Sequence, residues 1–213
     1  MSTRRKSTIN PRVIDLTLIA LFIAIIAILT FTPLGYLKTP LFEITFMVLP
    51  VAVGSVVLDW KSGAILGAAF GFTSFMTCFG IGMPSDLGAI LLQINPWYTA
   101  IVCIVPRIIC GALPALIFKA INKVDEKGLI STSVACLSTA VINTVLFLGG
   151  IWIFFEKTIS ENYGDFIITK QGSFNILTFF IVFASFNALI EAGICLFAGT
   201  AIAKALLAVK RKL

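Results

Sequence analysis

Two charged side chains, Arg107 and Glu191, interrupt otherwise apolar stretches of the sequence. Each lies about ten residues inside its stretch, which corresponds to about 15 Å along a helix. A charge at that depth in a membrane is costly, so it normally pairs with another charge or faces a polar cavity. Two compatible interpretations follow: Arg107 and Glu191 neutralise one another and lock two helices together, or one of them contacts a polar solute.

Uncharged polar residues occur at a comparable depth. Asn143 and Thr144 lie in the fifth apolar segment, and Asn187 precedes Glu191 by four residues. Residues four apart share a helix face, so Asn187 and Glu191 point the same way. Buried Asn and Thr often serve only to hydrogen-bond neighbouring helices. The alternative is a polar cavity to which three helices contribute.

The loops predicted at the outer side favour the cavity. Tyr36 and Lys38 follow the first segment, and Asn95 and Trp97 precede the fourth. Aromatic residues at this level are often only part of the interfacial belt. An apolar wall with a few hydrogen-bonding groups is nevertheless the usual composition of a solute site. We therefore predict a substrate-binding site formed by these loop residues and the polar residues of the fourth to sixth helices.

The composition indicates that the helices carrying these polar residues lie in a membrane. Of 213 residues, 59% are apolar and 12% charged, and the mean hydropathy is +1.04, which excludes an ordinary soluble domain. At about 20 residues per crossing, the chain holds about six spans with short connectors. We predict an all-α membrane protein with six transmembrane helices. They form a single integral membrane domain over 1–213, with helices at about 13–34, 43–58, 62–79, 96–120, 130–155 and 173–205.

Local signals refine this prediction. Pro50 predicts that the second helix is short and kinked. Asn95 followed by Pro96 predicts an N-cap and a first helical residue. A connector rich in Gly, Met, Pro and Ser precedes the fourth helix, and 156–172 is predicted to be the sizeable polar loop of the chain.

The basic residues predict the orientation. With six spans both termini lie on one side, and twelve of the sixteen basic residues fall on that side, against Lys38, Lys157 and Lys170 on the other. Positive residues concentrate on the cytoplasmic side, so both termini are predicted to be cytoplasmic. The twelve are Arg4, Arg5, Lys6, Arg12, Lys61, Lys119, Lys123, Lys127, Lys204, Lys210, Arg211 and Lys212.

The residue inventory argues against an enzyme. Histidine is absent, which removes imidazole metal ligands and Ser/His or Cys/His dyads. The five cysteines lie in apolar runs without a CxxC pair, so we interpret them as small core residues rather than metal or redox groups. No cofactor, metal or nucleic acid is expected on this chain. We find no internal repeat of the kind that supports alternating access.

Small residues mark close helix contacts. Gly63, Gly67 and Gly71 form a GxxxGxxxG ridge, which most simply packs against another helix of the same chain. Ala20 and Ala24 form an AxxxA pair on the first helix, amid bulky Leu, Ile and Phe.

The stretch TPLGYLKTPLFEITFMVLPVAVGSVVLDWKSGAILGAAFGFTSF resembles the first three helices of the S components of energy-coupling-factor (ECF) vitamin transporters. The pieces VPRIICGALPALIFKAI, STAVINTVLFLGGIWIF and NALIEAGICLFAGTAIAKAL are similar to their fourth, fifth and sixth helices. Among subfamilies the chain is most similar to the pantothenate type. The TPLGY turn, the PR of helix four, the NT of helix five and the N-x-x-x-E of helix six carry this resemblance.

The resemblance implies a substrate-binding subunit of an ABC-type importer in a prokaryotic cell membrane. Such a subunit captures a vitamin near the outer face, beneath the loop between helices one and two. It works with a membrane scaffold subunit and two cytoplasmic ATPases, which hydrolyse the ATP, and delivers solute by toppling in the membrane. By the same resemblance, Ala20 and Ala24 would dock onto the scaffold.

One departure leaves the substrate open. Thr45-Phe46-Met47 stands where pantothenate-type members tend to carry a more polar stretch with histidine. Riboflavin or another micronutrient is therefore an alternative, in which a ring would stack on Trp97 or Tyr98. A stand-alone carrier or channel is a second alternative from a different class, and a membrane enzyme is a third without an assignable catalytic set.

Overall fold

The structure is a computed structural model that describes residues 10–38, 43–125, 127–171 and 173–210. Within these ranges the chain is overwhelmingly helical, as the composition predicts. Eight α-helices and a small β-hairpin follow one another: α1 (Pro11–Phe31), β1 (Tyr36–Lys38), β2 (Glu43–Thr45), α2 (Val48–Val57), α3 (Trp60–Cys78), α4 (Asp86–Ile94), α5 (Pro96–Ile121), α6 (Leu129–Gln171), α7 (Ile176–Ile194) and α8 (Thr200–Lys210).

Side-chain caps set the starts of several helices. The Asn95 carboxamide oxygen accepts hydrogen bonds from the backbone N–H groups of Trp97 and Tyr98, at 3.0 and 3.2 Å, and Pro96 is the first residue of α5. This confirms the predicted start of that helix. Asp59 caps α3 in the same way by accepting from the Ser62 N–H at 2.8 Å. Each cap satisfies backbone donors that the first helical turn leaves unpaired.

The region around the second helix differs from the prediction. Residues 43–45 form a strand, not a helix, and pair antiparallel with residues 36–38, with Tyr36 opposite Thr45. The helix begins only at Val48, so Pro50 falls in its first turn, where a missing N–H removes no intrahelical bond. The predicted kink at Pro50 is therefore not required. With 10 residues, α2 is about 15 Å long.

The predicted polar loop 156–172 is wrong, because the chain remains helical up to Gln171. A single non-helical residue, Phe155, with φ −134° and ψ 19°, bends α6 and separates a longer first part from a shorter second part. Ile159, Tyr163 and Ile167 recur every four residues, and both isoleucines are fully buried. The charged side chains that the structure describes in this segment are exposed, which gives an amphipathic helix rather than a loop.

Two further elements refine the predicted boundaries. The connector before the fourth predicted helix contains α4, which the Ser85 hydroxyl caps by accepting from the Gly88 N–H at 3.2 Å. The sixth predicted helix is continuous but changes its winding, since Cys195–Gly199 form a π-helical segment between α7 and α8. Such segments are rare and frequently occur near functional residues.

The glycine ridge packs α3 directly against another helix of the same chain, as predicted, and that helix is α5. A β-carbon placed on Gly63 would overlap the backbone carbonyl of Gly111, and one on Gly67 would overlap that of Arg107. A β-carbon on Gly71 would lie 2.8 Å from the Ile104 Cα of α5, so this glycine is also close to that backbone. The two helices therefore touch backbone to backbone, which fixes the position of α5 relative to α3.

The two ends of the described chain meet. Lys210, in the last turn of α8, forms a salt bridge of 2.6 Å with Asp15 near the start of α1. The same ammonium group donates to the Val57 carbonyl at the end of α2, at 3.1 Å. The start of α1 and the ends of α2 and α8 thus lie at one end of the bundle.

Four helical stretches among the described residues are long and apolar enough to cross a membrane. They are Arg12–Phe31, Pro96–Ile121, Leu129–Glu161 and Asn187–Lys210. Several such stretches in one chain make this a multi-pass membrane protein.

Candidate functional site

Glu191 joins α7 to the hairpin. Its side chain is 7% exposed, and one carboxylate oxygen accepts hydrogen bonds from both the N–H of Thr45, at 3.0 Å, and the Thr45 hydroxyl, at 2.9 Å. A buried carboxylate needs such donors, because water is not available to it. Glu191 therefore fastens β2 to the helical bundle.

Asn143, on α6, lies near the Glu191 carboxylate. It is 6% exposed, and its own carboxamide oxygen has no hydrogen-bond partner. The carboxamide oxygen of Asn187, one turn before Glu191 on α7, is also buried without a partner. Native structures rarely leave buried acceptors unpaired, so each of these two atoms is an acceptor that could take a donor from a bound solute.

Arg107 lies between two aromatic rings. The centre of its guanidinium group is 4.0 Å from the centroid of the Phe147 ring on α6 and 5.5 Å from that of Phe70 on α3. The side chain is 4% exposed, and its Nε–H group has no hydrogen-bond partner. Desolvated cation–π contacts hold the cation in place while leaving donors available.

The guanidinium group makes one backbone hydrogen bond, in which Nη1 donates to the Val102 carbonyl at 2.8 Å. In a regular helix that carbonyl would accept from the N–H of residue 106, four residues later. Residue 106 is proline and has no N–H. The side chain of Arg107 therefore occupies the acceptor that Pro106 leaves open.

Arg107 and Glu191 do not form a direct salt bridge. The salt bridge found among the described residues joins Lys210 to Asp15. Phe147 is one turn from Asn143 on α6, so the aromatic contact and the Asn143–Glu191 contact lie on the same face of that helix. The structure thus brings together the predicted polar residues of three helices.

The other predicted site residues are placed differently. Asn95 uses its carboxamide oxygen as a helix cap. Trp97 is 80% exposed, and Tyr98 stacks on Phe154 with 4.8 Å between ring centroids. Thr144 is half-buried beside Asn143. Tyr36 and Lys38 belong to β1, and their side chains lie outside the described part of the chain.

A family profile described as "ECF transporter, substrate-specific component" matches residues 15–202 of this chain. This match covers most of the chain and agrees with the resemblance found in the sequence. The chain belongs to this family of S components. It is a transporter family and not an enzyme family.

This S component is also similar to the pantothenic acid transporter PanT of Lactococcus lactis subsp. cremoris (strain MG1363). The two are 30% identical over 154 residues, which cover 68% of this chain and 76% of PanT. The predicted similarity to the pantothenate type is thereby confirmed.

Sequence reasoning missed several residues of the site. Thr45 belongs to the stretch that departs from the family pattern, and nothing in the sequence pairs it with its partner Glu191. The aromatic partners of Arg107 were not predicted, although Phe147 follows Asn143 by one turn and could have been found from that spacing. Phe70 comes from a distant helix, and no local signal points to it.

Ala20 and Ala24 are both exposed on α1. Large apolar residues share this exposure along the helix, including Leu16 and Ile28. The AxxxA pair therefore lies on a surface of the S component that a lipid tail or another helix can reach.

Proposed function

We propose that this S component captures pantothenate at the outer side of a prokaryotic cell membrane. The observation that carries the proposal is the set of unpartnered polar atoms at Arg107, Asn143 and Asn187. They include one donor group on a cation and two acceptors, all buried inside the helical bundle. The similarity to PanT supports the choice of solute.

Pantothenate has hydrogen-bonding groups that complement these unpartnered atoms. Its carboxylate would accept from the Arg107 guanidinium group, and charge-assisted bonds of this kind are the stronger ones in proteins. Its amide N–H and hydroxyl groups would donate to the carboxamide oxygens of Asn143 and Asn187. In this proposal Glu191 keeps its role in holding Thr45, so that the hairpin covers the solute.

The proposed topology has six crossings with both termini in the cytoplasm. The contact between Lys210 and Asp15 supports placing the two ends on one side, and the distribution of basic residues supports the cytoplasmic side. In this topology α2 and α3 complete the set of spans. Since α2 is about 15 Å long, it would cross only in combination with the hairpin that precedes it.

The proposed partners are a membrane scaffold subunit and two cytoplasmic ATPases. The chain itself would bind no cofactor, and the ATPases would hydrolyse the ATP. Ala20 and Ala24 would form the docking contact with the scaffold, since their exposure on α1 allows another helix to approach closely. Toppling of the S component would then carry the solute to the inner side.

The proposal is tested by binding to the purified protein in detergent or nanodiscs. We expect saturable binding of pantothenate by calorimetry and release of pantothenate from the freshly purified protein, detected by mass spectrometry. Replacing Asn187 by Leu should weaken binding, while the control Leu189→Ala, at an exposed position on the same helix, should not. Binding of riboflavin instead, or uptake by this chain alone in vesicles without ATPases, would contradict the proposal.

A further inference from the structure

Pro106 and Arg107 act as a unit in α5. Pro106 cannot donate to the Val102 carbonyl, and the Arg107 side chain donates to it instead, at 2.8 Å. The bond directs the guanidinium group toward the N-terminal side of its own helix, to a carbonyl five residues back. Without it the guanidinium group would be free to take other rotamers.

We infer that Pro106 is a positioning residue for solute recognition. Because Pro106 has no N–H, the Val102 carbonyl lacks a backbone donor and is free to accept from Nη1 of Arg107. This bond holds one nitrogen of the guanidinium group in place. The rings of Phe70 and Phe147 fix the plane of that group, and its Nε–H remains unpaired in the buried interior. The anchored cation is thus preorganised for an anionic solute group, and this inference rests on the proposed function.

The same helix contains a matched control. Pro114 also lies inside α5, and its missing N–H leaves the Cys110 carbonyl without its usual helical donor. Among the described residues no side chain donates to that carbonyl. A change of Pro114 to Ala therefore alters helix propensity in the same way as a change of Pro106 to Ala, but touches no anchored cation.

The binding experiment compares pantothenate with its neutral alcohol analogue in the wild type, Pro106→Ala and Pro114→Ala. In Pro106→Ala the new backbone N–H competes with Arg107 for the Val102 carbonyl and releases the guanidinium group. We expect affinity for pantothenate to fall by about tenfold, because preorganisation is lost, and affinity for the alcohol to change much less. Pro114→Ala should retain the wild-type preference. An unchanged preference in Pro106→Ala would overturn the inference.

A stability experiment tests the anchor without solute. Arg107→Ala should lower the thermal midpoint, because the Val102 carbonyl loses its donor in a buried place. Pro106→Ala should then stabilise the Arg107→Ala protein more than it stabilises the wild type, since the Val102 carbonyl lacks a donor only when the arginine is gone, whereas Pro114→Ala should have the same effect in both backgrounds. An equal effect of Pro106→Ala on the thermal midpoint in the two backgrounds would refute the anchor.

The two experiments separate the inference from the proposed function. If the wild type binds neither compound, the proposed solute is wrong, but the stability experiment still decides whether Pro106 and Arg107 are coupled. If the wild type binds pantothenate and both proline variants behave alike, the solute assignment stands and the positioning role of Pro106 falls.

Discussion

The contact between Thr45 and Glu191 gives a sharp prediction about solute release. Replacing Thr45 by Val keeps the shape of the side chain but removes the hydroxyl that donates to Glu191 at 2.9 Å. The backbone N–H of residue 45 still donates at 3.0 Å, so the carboxylate loses one of two bonds from the hairpin. A single hydrogen bond of this kind contributes about 1.5 kcal/mol.

If the hairpin must lift for solute to leave, that loss appears as faster dissociation. About 1.4 kcal/mol corresponds to a tenfold change, so we expect Thr45→Val to release bound solute about tenfold faster than the wild type. The assay is exchange of labelled pantothenate from the purified protein against an excess of unlabelled solute. The association rate should change little, because most effects of contact loss fall on dissociation.

Thr45→Ser is the matched control for this prediction. Serine retains the hydroxyl and loses only a methyl group, so its exchange rate should stay near that of the wild type. Equal rates for the Val and Ser variants, with both proteins folded, would refute the view that Glu191 holds the hairpin over the solute.

Three further predictions concern the packing of α3 on α5, the cap of α3 and the proposed docking contact on α1. Gly67→Ala should destabilise the protein by about 1 to 3 kcal/mol, because the new β-carbon overlaps the backbone of α5; Gly149→Ala, where the added carbon meets open space, should not lower the thermal midpoint. Asp59→Ala should cost about 1 kcal/mol through loss of the α3 cap, while Asp59→Asn should retain most of it. The serine hydrogen bond to this carboxyl group lowers its pKa, so its contribution is present at neutral pH and fades as the pH falls through the lowered pKa, which thermal unfolding at several pH values can follow. Replacing Ala20 and Ala24 together by Leu should spare solute binding but stop uptake in cells that contain the scaffold and ATPases, and normal uptake would contradict the docking role.

Local signals in the sequence were sufficient where the structure depends on neighbouring residues. The cap at Asn95 and the first residue Pro96 need only backbone donors a few residues away, so their pattern predicts the start of α5 directly. The glycine ridge of α3 predicted a close helix contact in the same way. Its partner, α5, could not be named, because every helix with small residues is an equal candidate in one sequence.

Sequence patterns did not predict the elements whose conformation depends on burial in the folded protein. The segment after Phe155 contains enough charged residues to look like a loop, and only the packing of Ile159 and Ile167 against the bundle makes it a helix. Helix formation in such segments depends more on one buried face than on propensity. The hairpin was missed for a related reason, since strands of three residues have too little periodicity to detect.

The candidate site was also predictable only in part. Depth in the apolar segments was enough to single out Arg107, Asn143, Asn187 and Glu191, and the structure groups their helices. The partner of Arg107 was expected to be a charge or a solute, yet aromatic rings and a backbone carbonyl surround it. The rings come from α3 and α6, and the carbonyl comes from α5, where Pro106 leaves it without a backbone donor. Only the folded geometry combines them.

The direct backbone contact between α3 and α5 has a mechanical consequence. Where side chains separate two helices, rotamer changes can absorb a small displacement, but no such layer lies between Gly67 and the carbonyl of Arg107. We therefore expect these two helices to move together as one rigid unit. Any tilt imposed on α3 would be passed on to α5 and to the buried Arg107 that α5 carries.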